Sequence, residues 1–111
     1  MPHHIPAVTV DEVPEGALLV DVREHDEWAA GHAPHAQHIP MQDVPARLVE
    51  IPTEGNVVVA CRVGARSAQV TAYLLSNGWD NVVNLDGGMR AWHAAGRPLV
   101  ASENGQEPFV L

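Results

Sequence analysis

The sequence predicts an α/β fold: a small, mostly parallel sheet flanked by helices on both faces. Three observations predict it. Short apolar, β-branched runs at 17–22, 56–60 and 82–85 have the length of buried strands. Stretches with helical spacing follow them, and the two types alternate along the chain, the pattern of a layered parallel sheet. With 111 residues there is room for one such core and no second one.

In chain order, Ala17 to Val22 reads as a strand, and Glu24 to Ala30 as a short acidic helix ended by Gly31. A turn-rich stretch closes at Ile39-Pro40. Asp43 to Ile51 reads as a modest helix with Pro45 in its first turn, where its missing N–H costs least. Asn56 to Ala60 is the clearest strand, continuous and preceded by Gly55. Ser67 to Asn77 is the clearest helix: Val70, Tyr73, Leu74 and Leu75 recur at helical spacing, and Gly78 is a natural stop. Val82 to Leu85 is a further strand, followed by Gly87-Gly88 at a tight turn and a helix from Met89 to Ala95. Residues 5–98 are expected to form the domain and 99–111 a C-terminal tail whose apolar end, Phe109-Val110-Leu111, docks on it.

Composition narrows the functions. Fourteen acidic residues against six basic ones give a net charge of −8. Such a surface repels nucleic acid and anionic lipid, so neither is an expected partner. No apolar run approaches the ~18 residues needed to cross a bilayer. The opening MPHHIPAVTV has no basic stretch leading into an apolar one, so it does not read as a secretory signal. A single cysteine excludes an internal disulfide and makes a reducing cytoplasm the simplest expected location.

That cysteine, Cys61, stands where strand 56–60 ends, at the carboxyl edge where parallel sheets bind ligands. The segment Cys61-Arg62-Val63-Gly64-Ala65-Arg66-Ser67 runs from it into a helix. A short loop entering a helix turns several backbone N–H groups inward as an anion cradle, and Gly64 lets it curl without a Cβ clash. All six basic residues are arginines, and two of them, Arg62 and Arg66, lie in this loop. The amides, the helix dipole and two guanidiniums are expected to hold the thiol below its ordinary pKa of about 8.5, as a thiolate at neutral pH. A cysteine packed merely as a small hydrophobe would fall inside an apolar pattern rather than at this junction.

Here the residues resemble a known family. Val59 to Ser67 is similar to the active-site loop of rhodanese-like domains. Leu19-Val20-Asp21-Val22-Arg23-Glu24 with Glu27-Trp28, the stretch Gly31-His32 to Ile39-Pro40, and Leu85-Asp86-Gly87-Gly88 with Ala91-Trp92 are similar to its other motifs, in family order. The resemblance implies the rhodanese fold and a sulfurtransferase activity without cofactor or metal. Cys61 would take sulfane sulfur from a small anionic donor such as thiosulfate and hold it as a persulfide. The acceptor would be a small thiol, cyanide or a partner protein. An alternative is a sulfur-carrier or docking module with little turnover of its own. Four residues separate Cys61 from Arg66, against five in the phosphatase branch of the superfamily, and the shorter loop favours sulfur over a phosphoryl group. A catalytically dead domain is disfavoured because the cysteine, the glycine and both arginines are present.

Asp21 and Arg23 are expected to support the cradle as a structural ion pair. Ser67 is expected to cap the helix, to face the persulfide, or both. His32, His35 and His38 invite a zinc reading, but a closed site needs four ligands and no second cysteine exists; His32 reads instead as a structural imidazole. His35 departs from the glycine that similar sequences usually have there, and histidine tolerates a positive φ better than bulky residues do. His3 and His4 read as plain tail residues, and Trp28, Trp79 and Trp92 as packing at the edges of the core.

Overall fold

A computed structural model describes residues 4–111; His3 lies outside them. Five strands, β1 (Ala7–Val8), β2 (Leu18–Asp21), β3 (Gln37–His38), β4 (Val57–Ala60) and β5 (Val82–Leu85), form one sheet in the order β1-β5-β4-β2-β3. Every pairing is parallel. Three helices accompany it: α1 (His25–Ala30), α2 (Ala65–Ser76) and α3 (Gly88–Ala94).

Alternation along the strands builds a core on each face. On one face Val20, Val57, Val59 and Val82 pack with Val70 and Leu74 of α2 and with Val44. On the other, Leu19, Val58, Ala60 and Leu85 pack with Met89 and Trp92 of α3. The central strand β4 is buried throughout, which suits its unbroken valine run.

Four elements differ from the sequence expectation. The turn-rich stretch contains β3, and β1 precedes the first expected strand. Both are two residues long, so they arise from pairing (Val20 with Gln37, Ala7 with Asn84) and carry no periodicity of their own. The expected helix Asp43–Ile51 is two 3-10 segments, Met41–Ala46 and Leu48–Glu50. Pro45 lies inside the first and cannot donate an N–H, and the stretch closes through i→i+3 bonds such as Arg47 N–H to Val44 O at 3.0 Å. The helix expected from Ser67 starts two residues earlier, with Gly64 as its N-cap, so Ser67 sits in the first turn and is not the cap.

The end of the chain lies against the domain through its backbone and Val110, while the Phe109 and Leu111 side chains stay exposed. Val100 pairs with His32 in an antiparallel bridge, the Phe109 N–H donates to Ala30 O at 3.0 Å, and Val110 packs against the α3-side core. Gly31 permits this, because a Cβ there would run into the Phe109 backbone. Trp79 and Trp92 pack at the core's edges, donating their indole N–H groups to Ile51 O and Pro98 O.

Asp21 and Arg23 are both fully buried and form a forked ion pair, with Arg23 Nε 2.9 Å from Oδ1 and Nη2 2.7 Å from Oδ2. Nη2 also donates to Gly31 O at 2.7 Å, tying the end of β2 to the end of α1. Removing one member of such a pair strands the other's charge. Arg23→Met is therefore expected to lower unfolding free energy by about 3–5 kcal/mol. Denaturant titration checks this, and a loss under about 1 kcal/mol would show that the pair is dispensable.

Candidate active site

Cys61 follows β4 directly, and its thiol is enclosed: the residue is 1% exposed. The chain then passes through Arg62 and the exposed Val63 to Gly64, whose φ of +110° is ground that only glycine occupies comfortably. That turn directs the Gly64 N–H onto Sγ at 3.1 Å. Ser67, in the first turn of α2, adds its hydroxyl at 3.2 Å. Burial pushes the Cys61 thiol up, but the Ser67 hydroxyl and the amides of Ser67, Gly64 and Val63 favour the charged form more strongly. The thiol is held below its ordinary value.

The loop is held from behind by α3. The N–H groups of Met89 and Arg90 donate to the carbonyls of Cys61 and Arg62 at 2.8 and 3.1 Å. Gly87 and Gly88, with φ of +81° and +58°, make the tight turn expected of them. Gly88 does more: a Cβ there would strike the Cys61 and Arg62 carbonyls.

The arginines do not sit as expected. Arg66 forms a two-pronged ion pair with Glu27 of α1, at 2.7 and 2.9 Å. Arg62 Nε donates to a backbone oxygen of Leu111 at 3.1 Å. The sulfur's lowered pKa thus comes chiefly from uncharged donors in its own loop, with Arg66 acting on it only through space while tied to Glu27. Ala65 supplies only the first residue of α2. Asp21 and Arg23 support the site at a distance: Asp21 pairs in register with Ala60, just before the cysteine, while its carboxylate stays on Arg23.

His32 and His38 pack on Trp28, while His35 is exposed. His35 adopts φ +66°, the left-handed turn its position requires. His32 stacks on Trp28 with ring centroids 3.7 Å apart, and His38 at 4.7 Å. Their ring nitrogens donate to the carbonyls of Trp28 and Arg23. Among the described residues no group of three His, Cys, Asp or Glu side chains could hold a metal ion.

Two site residues escaped the sequence reading. Glu27 is 39 residues from Arg66, and nothing local announces the pairing. Asn84 touches Ser67 and Gly64; its only signal was a polar side chain within the apolar run Val82–Leu85.

Comparison with known proteins decides the family. The Rhodanese-like domain model matches residues 9–95. The chain belongs to the rhodanese-like family. A sulfurtransferase of Allochromatium vinosum is 48% identical over 89 residues, covering 80% of this chain and 83% of that one. The thiosulfate sulfurtransferase GlpE of Pseudomonas fluorescens is 35% identical over 92 residues, covering 83% and 84%. The crystal structure of a rhodanese-related protein from Thermoplasma volcanium superposes with a TM-score of 0.80 at 26% identity, over 88% of this chain and 99% of that one. This rhodanese-like chain is thus close in extent to its single-domain sulfurtransferase relatives, and no helix among its described residues is long and apolar enough to cross a membrane.

The Glu27–Arg66 pair yields a pH prediction. Arg66 holds the Glu27 carboxyl below its ordinary value. A depressed carboxyl adds stability above its unfolded pKa of about 4.3 and loses it as pH falls through the folded value. Glu27→Gln is expected to cost about 1 kcal/mol at neutral pH. The gap to the native chain should close in acid, below the depressed value; a gap unchanged down to that pH in denaturant titrations would refute the pairing.

Proposed function

We propose that Cys61 transfers sulfane sulfur through a persulfide, with thiosulfate or a similar small anion as donor. The observation that supports this reading is the thiol itself: buried, yet held low by a hydroxyl and three amides. In the first step the thiolate attacks the outer sulfur of the donor. The donor's S–S bond breaks, its electron pair leaves with sulfite, and Cys61 carries the persulfide. In the second step an acceptor thiolate or cyanide attacks the outer sulfur, and the electron pair of the Cys61 S–S bond returns to Sγ. A thiolate that is already formed needs no base, in keeping with the lack of a histidine on Sγ among the described hydrogen bonds. The same amides that favour the thiolate would hold a persulfide anion and the departing sulfite. The short spacing from Cys61 to Arg66 and the similarity to a thiosulfate sulfurtransferase support the choice of donor. So does Arg66, whose fork spends one N–H of each terminal nitrogen on Glu27 while its side chain stays 33% exposed.

One observation favours a second reading, a sulfur carrier loaded by a partner protein. Both loop arginines already have a partner within the chain, Arg62 in Leu111 and Arg66 in Glu27, so a free doubly charged donor must share them. Steady-state transfer from thiosulfate to cyanide by the purified chain separates the two, since a carrier is slow in that assay yet still accepts sulfur.

Incubation with thiosulfate is expected to add the mass of one sulfur atom to the chain and none to Cys61→Ser. A chain that stays unmodified with thiosulfate and with a persulfidated thiol alike would sink the persulfide mechanism. Arg66→Ala is expected to lower kcat/KM for thiosulfate by roughly tenfold or more, the scale of one lost charge-assisted hydrogen bond. Arg47→Ala, which removes an exposed partner of Glu50, is expected to leave it unchanged. Equal losses in the two variants would remove Arg66 from donor binding.

A further inference from the structure

Asn84 lies on β5, 8% exposed, with its side-chain amide inserted between two parts of the active-site loop. Its Nδ2 donates to Gly64 O at 3.1 Å, and its Oδ1 stands 2.5 Å from Ser67 Oγ. The orientation is forced, because turning the amide over would set two acceptors, Oδ1 and Gly64 O, against each other. Ser67 Oγ also lies 3.2 Å from Cys61 Sγ. A serine hydroxyl has one proton, so it cannot donate to Asn84 and to the sulfur together. Ser67 is fully buried and Cys61 nearly so, leaving little room for water to supply a second donor.

The geometry points to Asn84 as a positioning residue that accepts the Ser67 hydroxyl's hydrogen bond whenever Sγ is uncharged and yields it to the sulfur when charge gathers on Sγ. With a neutral thiol, S–H donates to Oγ and Oγ–H to Oδ1, and every group is satisfied. With a thiolate, the hydroxyl turns to Sγ. The inference rests on the persulfide chemistry proposed above for its place in turnover. Once Cys61 carries a second sulfur, the charge moves outward and the hydroxyl returns to Asn84. When an acceptor attacks the outer sulfur and the S–S electron pair falls back on Sγ, the hydroxyl swings to the leaving thiolate. Asn84 would thereby stabilise the uncharged states of Sγ relative to the charged one, keeping the inner sulfur stable between the two transfers.

Other groups around the sulfur leave this exchange readable. Of the charged side chains, Arg66 of α2 interacts with Cys61 through space, and it is tied to Glu27 of α1. Arg62 of the loop turns to Leu111, Asp21 and Arg23 of the β2 end hold each other, and Asp86 and Arg90, flanking the Gly87-Gly88 turn, are exposed. Removing the Asn84 amide also leaves Gly64 O with the Ala68 N–H at 3.1 Å.

Thiol titration by ultraviolet thiolate absorbance tests this with no sulfur donor present, so its outcome is separate from that of the transfer assays. Asn84→Ala and the β-compatible Asn84→Val are expected to lower the Cys61 midpoint by about half a unit to one unit, the worth of one hydrogen bond. Ser67→Ala is expected to raise it by a similar amount. In the Ser67→Ala background, Asn84→Ala should have no further effect, because Asn84 acts only through that hydroxyl. An Asn84 variant that raises the midpoint, or shifts it equally with and without Ser67, would overturn the inference and reduce Asn84 to a brace for the loop. The native chain offers a readout that survives misfolding of any variant: the Asn84 side-chain amide resonance should move with the thiol's own midpoint, and an amide that stays still through that titration overturns the inference equally.

Discussion

The site depends on favouring the charged form of a sulfur atom that the fold has enclosed. Burial alone would favour the neutral thiol, and the chain opposes it with the fixed dipoles of the Val63, Gly64 and Ser67 amides, together with one hydroxyl that can turn to the sulfur. Dipoles locked into a loop and a helix start need no reorganisation when charge appears on the sulfur, which is the condition under which they are most effective. The demand passes back into the scaffold. The loop keeps its curl because Gly64 accepts a left-handed conformation and because α3 holds the outward carbonyls of Cys61 and Arg62. The second of these requires the missing Cβ at Gly88.

The arginines then have a different part from that of ionising the thiol. Arg66 fastens the start of α2 to α1 through Glu27, so the helix that presents Ser67 is braced against the helix that follows the neighbouring strand β2. Asp21 and Arg23 do similar work one strand away, joining β2 to the turn at Gly31, on which the end of the chain lies. Several of the family's motif residues thus hold elements together around the cysteine.

Much of this was legible in the sequence, for identifiable reasons. β2, β4 and β5 announced themselves because a strand buried on both faces must be apolar and continuous, and α2 because its buried residues recur at helical spacing. Cys61 and its loop stood out by position, at the end of a strand and ahead of a helix. His35 stood out as a departure from the glycine usual in similar sequences, and the left-handed conformation it adopts is one histidine tolerates. What stayed hidden was non-local. β1 and β3 exist only through their neighbours, Glu27 reaches Arg66 across 39 residues, and Leu111 reaches Arg62 across 49. The 3-10 path of 41–50 was missed because the helical spacing around Pro45 suits either kind of helix. Asn84 was passed over because a strand's pattern records which face a residue points to and not what it meets there.

The two outermost strands, only two residues each, have a bearing on how the chain behaves in company. A sheet's rim exposes unpaired amides and carbonyls that can recruit a strand from another molecule. Here the hazardous segment, the triple valine of β4, is placed at the centre with a partner on each side. The rims offer rows too short to hold an incoming segment in register. By keeping its borders so brief, the fold guards an aggregation-prone stretch that it cannot do without.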